Sequence, residues 1–265
     1  MNNKTVLERY GYEQSLRRVL RLKSLIFYGF AYMMPLTIFT SYGIVQQITH
    51  GMLALAYVVC TIAMVFTAIS YMQMVKVYPM AGSVYSYAQR SINPYVGFLG
   101  GWAILMDYLL MPILCYVCAA IYLKTIFPGI PTAVIVIVLI LGMSAVSFVG
   151  IQMTSIVNNT LVILQCIFVL AFLMFVFDWI YKGNGEGTFV SAKAFFNSYE
   201  FRQEGVGIGA LFAGASVLAI SFLGFDAVTT VAEETIEPEK MIGRAILIIC
   251  IGAGSLFVFE SYMYQ

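Results

Sequence analysis

Seven apolar blocks, most of them twenty residues or longer, alternate along this chain with shorter polar stretches. A helix needs about 20 apolar residues to cross the hydrocarbon core of a bilayer, so the pattern predicts membrane-spanning helices. The blocks are Ser24–Gln47, Met52–Val75, Tyr95–Phe127, Ala133–Phe148, Ile156–Tyr181, Val206–Ala232 and a seventh from about Ala245 to Gln265. Between the first two lies a short turn at Thr49–His50–Gly51. Lys76–Asn93 is too polar to span; Pro79 and Gly82 break it before a helical stretch at Ser83–Arg90. Pro128, Gly129 and Pro131 end the third span. Lys182–Glu204 is the longest loop, and Glu233–Gly243 reads as a charged linker. The expected organisation is therefore a basic leader (1–23), five spans (24–181), a polar loop (182–204) and two further spans (205–265).

Two of the spans carry interruptions. Pro35 falls near the middle of the first, where it removes a backbone hydrogen bond. Thr37, Thr40 and Ser41 follow with hydroxyls that can satisfy the loosened backbone. In the sixth span Gly224 and Asp226 sit together, flanked by Ser221, Phe225, Thr229 and Thr230 and followed by Glu233 and Glu234. A charged side chain in mid-membrane costs at least about 2.5–3.5 kcal/mol on insertion scales, so it faces protein or water. Freed backbone groups are tolerated only where they are buried in protein or line a cavity. Asp226 either pairs with a neighbour, with Gly224 giving close helix packing, or the two shape a binding cavity. The coincidence of glycine, carboxylate and hydroxyls within one span favours the cavity. The two interruptions lie in the first and sixth spans, an offset of five, so the interrupted helices run in opposite directions, as in transporters built from inverted repeats.

Composition agrees with a membrane protein: 61% hydrophobic and 10% charged residues, a net charge of +1 and a mean hydropathy of +0.90. That charge gives no reason to expect a nucleic-acid partner. Cys60, Cys115, Cys118, Cys166 and Cys250 all fall inside apolar blocks and read as small packing residues. His50 reads as a loop residue. With a single histidine, no HExxH motif and no nucleophile–base spacing, the chain offers nothing for an enzyme, and no cofactor or metal is expected. With the N-terminus in the cytoplasm, that side collects ten Lys and Arg and the other side four, which by the positive-inside rule places the N-terminus inside. A seven-helix receptor would need the opposite orientation.

At this point the sequence resembles the amino acid–polyamine–organocation (APC) superfamily, and within it is similar to bacterial putrescine importers. The resemblance rests on Gly29–Pro35 (GFAYMMP) with Phe39–Val45, on Tyr78–Gln89 (YPMAGSVYSYAQ) with Ser91–Pro94, on Gly101–Trp102 and Asp107–Leu109, and on Ser221–Asp226 through Glu233–Thr235. It implies an all-α integral membrane protein of the APC/LeuT-type inverted-repeat fold, with substrate bound at breaks in helices one and six. The implied activity is secondary active import of amino acids or polyamines by alternating access, coupled to a proton or another cation, across the plasma or inner membrane. Family members have at least ten core helices and this chain shows seven. The expectation is a fragment or a truncated gene, with a non-transporting remnant or partner subunit as the alternative. Met33–Thr37 lacks the glycine-rich break that grips an amino acid carboxylate in many members, which fits a diamine; Thr40–Ser41 lacks an acid carried by many members of the putrescine branch.

The candidate substrate site thus comprises Tyr32, Pro35, Thr37, Asp107, Tyr108, Ser221, Gly224, Phe225 and Asp226. Asp226 is the first choice for amine ligand or coupling carboxylate. Asp107 is either a second ligand or a structural hydrogen-bond partner, and Tyr108 either a cation–π face or a packing residue. Glu233 and Glu234 are assigned to an inner gate. Glu260, in the seventh span, is a proton-site candidate for a complete protein. It lies five residues from the last one and is set aside here for that reason.

Overall fold

The computed structural model describes residues 17–33, 36–149, 151–183, 195–202 and 207–264. They are helical almost throughout. In order the helices are α1 (Leu22–Tyr32), α2 (Thr37–Ile48), α3 (Leu53–Val77), α4 (Ser83–Ser91), α5 (Pro94–Ile126), α6 (Thr132–Val149), α7 (Ile151–Tyr181), the short α8 (Ser198–Phe201), α9 (Gly207–Leu218) and α10 (Pro238–Met263). Two 3-10 stretches, Ala219–Phe222 and Phe225–Glu234, continue α9. Six helical segments are long and apolar enough to cross a membrane; α1 and α2, bent by 52°, make a seventh if taken as one span.

Local sequence explains most of the boundaries. Asn93 caps α5, its side chain accepting a hydrogen bond from Val96 N–H at 2.8 Å, and Pro94 opens the helix. Asparagine is a favoured N-cap, and proline loses nothing at the first helical position. The same rule corrects the seventh span. The residues up to Gly243 were expected to form a charged linker, but α10 starts at Pro238, with Glu239 in its first turn. Proline pre-sets the helical φ, and an acid there complements the helix dipole. Met241, Ile242 and Gly243 are consequently helix.

The chain divides into two compact units, Val84–Leu161 and the remainder. In the smaller, α5 packs on α6, and glycines let α4 lie close to the start of α5: a Cβ at Gly97 would stand 2.6 Å from Gln89 Cα. In the larger unit α10 is the central element. It packs along α3 and also meets α1 and the Phe225–Glu234 stretch, while α9 packs on α2 and α3. Its core-facing side, including Ile242, Ile246, Ile249, Ala253 and Phe257, is fully or almost fully buried. Small residues permit the close approach. A Cβ on Gly243 would run into Met72, and one on Gly254 into the side chain of Thr61. Between lipid-embedded helices such packing, rather than expulsion of water, supplies much of the association energy.

Gly254→Ala should therefore lower the thermal midpoint of the purified protein, since overpacking costs about 1–3 kcal/mol. Gly209→Ala in α9, where an added Cβ meets nothing within 4 Å, should leave the midpoint unchanged or raise it. Differential scanning fluorimetry in detergent reads both.

Candidate functional site

The sixth span breaks where its glycine sits. α9 tightens into the 3-10 turn Ala219–Phe222, Leu223 turns extended in ψ (139°), and Gly224 takes φ +92°, ψ −5°. For a residue with a Cβ this left-handed conformation costs about 1–2 kcal/mol. Gly224 has a second reason to be glycine, because a Cβ there would lie 3.0 Å from Tyr32 Cβ and 3.2 Å from the Tyr32 carbonyl oxygen. Tyr32 is the last residue of α1. The end of the first helical segment of span one thus rests directly on the break in span six.

Around this contact the larger unit gathers further predicted residues. Phe225 is buried and meets Tyr71 of α3 edge-on, with ring centroids 5.3 Å apart. Asp226 is half-buried, and its Oδ2 accepts a hydrogen bond from Ser83 Oγ at 2.8 Å. Ser83 opens α4, is buried, and has φ +48°. The pairing reading of Asp226 therefore has a definite partner, on the polar stretch that follows α3. Ser221 is buried, and its Oγ lies 3.2 Å from the Tyr57 hydroxyl, which is also 3.5 Å from Ser41 Oγ of α2. Thr37 starts α2 half-buried, its carbonyl accepting from Thr40 Oγ1 at 2.7 Å and from Ser41 Oγ at 3.3 Å. These are i−3 and i−4 bonds to a carbonyl within α2, and residues 34 and 35, whose backbone the hydroxyls were expected to serve, lie outside the described residues. Tyr32 is 47% exposed, its ring lies tilted against that of Tyr28 with centroids 4.9 Å apart, and it receives a 3.3 Å hydrogen bond from the Tyr28 hydroxyl.

Pro35 lies outside the described residues. Asp107 and Tyr108 occupy the middle of α5 in the smaller unit, both exposed. Glu233 and Glu234 close the Phe225–Glu234 stretch half-buried. The backbone carbonyl of Glu234 accepts from Val19 N–H at 2.8 Å and Leu20 N–H at 3.0 Å, and Ile236 N–H donates to Leu20 O at 3.0 Å. The end of the basic leader thus forms a small parallel bridge with the chain after the sixth span. Sequence reasoning passed over this bridge, because backbone pairing of two short segments leaves no side-chain signature. It also passed over Tyr57, one tyrosine among 18, and set aside Glu260, which is wholly buried. A glutamate inside an otherwise apolar span was the available signal for the latter.

A groove of about 370 Å³ runs between α3 and α10, lined among others by Thr61, Gly254, Val258 and Tyr262 and by Phe195, but it includes none of the predicted site residues. Among the described residues no three His, Cys, Asp or Glu side chains gather as metal ligands. Cys60 and Cys250 are buried thiols, and Cys115, Cys118 and Cys166 exposed ones.

Residues 25–264 match the family model for amino acid permeases. The chain is 36% identical over 250 residues to the low-affinity putrescine importer PlaP of Escherichia coli, covering 94% of this chain and 54% of that protein. It is 25% identical over 266 residues to the branched-chain amino acid permease BcaP of Bacillus subtilis (93% and 54% covered). A methylthioribose transporter of Bacillus subtilis is 24% identical over 246 residues (86% and 50% covered). The chain spans about half the length of these curated relatives.

The Ser83–Asp226 bond can be isolated by a double-mutant cycle of Ser83→Ala and Asp226→Asn. Hydrogen bonds to charged groups contribute about 1.5–3 kcal/mol, so thermal unfolding of the four proteins should yield a coupling energy above about 1 kcal/mol. Additive effects would show that the contact contributes nothing.

Proposed function

Because this chain belongs to the amino acid permease family, we propose that it works in a secondary active transporter that imports a small amine or amino acid by alternating access, driven by a proton or other cation gradient. The observation that carries the reading is the contact of Tyr32 with Gly224, which sets two interrupted helices against each other within the membrane-spanning part of the larger unit. Interrupted helices expose N–H groups at one half-helix end and carbonyls at the other, and so offer partners for both anionic and cationic groups of a substrate.

A diamine resembling putrescine is the preferred substrate. The relative with 36% identity is a putrescine importer, and the groups around the break suit an ammonium. Asp226 engages Ser83 through Oδ2, which leaves Oδ1 for a cation. The Tyr28–Tyr32 pair adds aromatic faces beside Gly224, and an ammonium over such a face gains about 0.5–2 kcal/mol. Asp107 and Tyr108, in the smaller unit, would be amine-binding residues in their own right. Thr37, Ser221 and Phe225 would complete the lining, with Pro35 shaping the break in span one. Glu233 and Glu234, at the end of span six, would act in an inner gate, and the bridge from Leu20 to Thr235 would be part of its closed form. The N-terminus would lie in the cytoplasm and the protein in the plasma or inner membrane.

Uptake of radiolabelled putrescine and of neutral amino acids by cells expressing the native gene tests this. Putrescine uptake should exceed background and fall at least about tenfold in Asp226→Asn, the equivalent of about 1.4 kcal/mol. Undiminished uptake in that variant would remove Asp226 from the mechanism. Uptake of neither substrate class by the wild type would contradict the transporter reading.

A further inference from the structure

Glu260 lies near the end of α10, completely buried, and neither of its carboxylate oxygens has a hydrogen-bond partner among the described residues. Tyr264, just beyond α10, follows one turn later, its backbone N–H donating to the Glu260 carbonyl at 3.1 Å. Phe257, one turn earlier on α10, packs against Tyr57 with centroids 5.5 Å apart, so this face of α10 is turned toward α3. The Tyr57 hydroxyl in turn joins Ser41 of α2 to Ser221 of the 3-10 turn that precedes Gly224. Glu260 thus lies on the helix face that packs around a phenol joined to both interrupted spans.

An ionised carboxylate in a low-dielectric interior is costly unless it is paired or hydrogen-bonded, and it otherwise takes up a proton. The basic residues of α10, Lys240 and Arg244, lie sixteen or more residues away along the helix, roughly 24 Å or more at 1.5 Å per residue. The titratable groups facing the cluster are Tyr57 and Cys60 from α3, Tyr42 from α2 and Tyr264. The 3-10 turn contributes Ser221, which does not titrate. Tyrosines and cysteines ordinarily ionise near pH ~10 and ~8.5, so among these groups the carboxylate is the one suited to exchange protons near neutrality. A hard metal cation would need about six oxygen ligands, whereas the hydroxyls at hand are engaged with one another.

We propose that Glu260 is the protonation site through which a proton gradient drives this transporter, with the Tyr57 hydroxyl relaying its charge state to Ser221 and Ser41 at the two helix interruptions. The proposal rests on the transporter reading above and names the coupling group for it. When Glu260 is ionised, a Tyr57 hydroxyl that turns its proton toward the carboxylate no longer donates to either serine and keeps only the bond it accepts. When a proton from the aqueous phase neutralises Glu260, Tyr57 returns to the serines and the break in span six is held as the structure shows it. The carboxylate gains and loses one proton per cycle, and no other bond changes. Tyr57 is five residues into α3, just after the turn at His50, and Glu260 lies 22 residues beyond the Pro238 start of α10. With the N-terminus inside, both belong to the outer half of the membrane, where an inward-moving proton arrives first.

Infrared difference spectroscopy of the purified chain in liposomes, titrated with pH, reads the carboxyl directly. Above about pH 6, where exposed aspartates and glutamates remain ionised, a protonated-carboxyl band should appear as pH falls in the wild type and in Asp226→Asn, and should be missing from Glu260→Gln. Tyr57→Phe, which keeps the ring and its packing, should shift the midpoint of that band. In cells, Glu260→Gln should lose putrescine accumulation against a gradient while exchange of internal for external putrescine continues. A titrating band that survives Glu260→Gln, or accumulation that stays proton-driven in that variant, would overturn the proposal. Absence of any uptake by the wild type, with the Glu260 band intact, would instead remove the transporter reading and leave the protonation site standing.

Discussion

A chain inside hydrocarbon has no water to satisfy its backbone, so every interruption of a helix must be covered by protein or line a cavity. Here that constraint converges on one contact, Tyr32 against Gly224. The left-handed turn at Gly224 lets the sixth span break, and the absence of a side chain lets the end of α1 approach the break. The arrangement places half-helix ends, an aromatic pair and the Asp226 carboxylate in one neighbourhood. Without the glycine neither the turn nor the approach would be available at so low a cost.

The contact is held from two sides. α10 lies along α3 by virtue of glycines at Gly243 and Gly254 and also packs on α1 and on the stretch after Gly224. From the polar segment after α3, Ser83 reaches Asp226, and from the leader, Leu20 pairs with the chain at Thr235. The broken span is therefore pinned at its carboxylate and at its end, while Tyr57 secures the turn before the break. Motion of the break would require some of these links to exchange partners, and hydroxyl links exchange partners at small cost because each hydroxyl both donates and accepts.

Much of this architecture was legible in the sequence. The apolar blocks marked the spans to within a few residues, since length in hydrocarbon leaves little freedom, and Gly224 with Asp226 announced the break. The start of α10 was missed because its first turn is charged, and hydropathy weighs Glu239 and Lys240 against a helix that Pro238 begins. The Ser83–Asp226 bond joins residues 143 positions apart, and no local pattern reports such a pairing. Tyr57 and Glu260 show the same limit. Their types were visible, but their common neighbourhood arises only when α10 folds back along α3. Asp107 and Tyr108 read from sequence as further candidates behind Asp226, and they belong to the other compact unit.

The central claim is that substrate occupies the space between the two interrupted spans, and site-specific alkylation tests it most directly. In a protein with its five native cysteines replaced by serine or alanine, Thr37→Cys places a thiol at the start of α2, and Gly129→Cys places one in the exposed loop before α6. The account predicts that saturating putrescine slows alkylation at position 37 several-fold and leaves position 129 unchanged. Equal rates at position 37 with and without putrescine, in a protein shown to bind it, would place the substrate elsewhere and contradict the account.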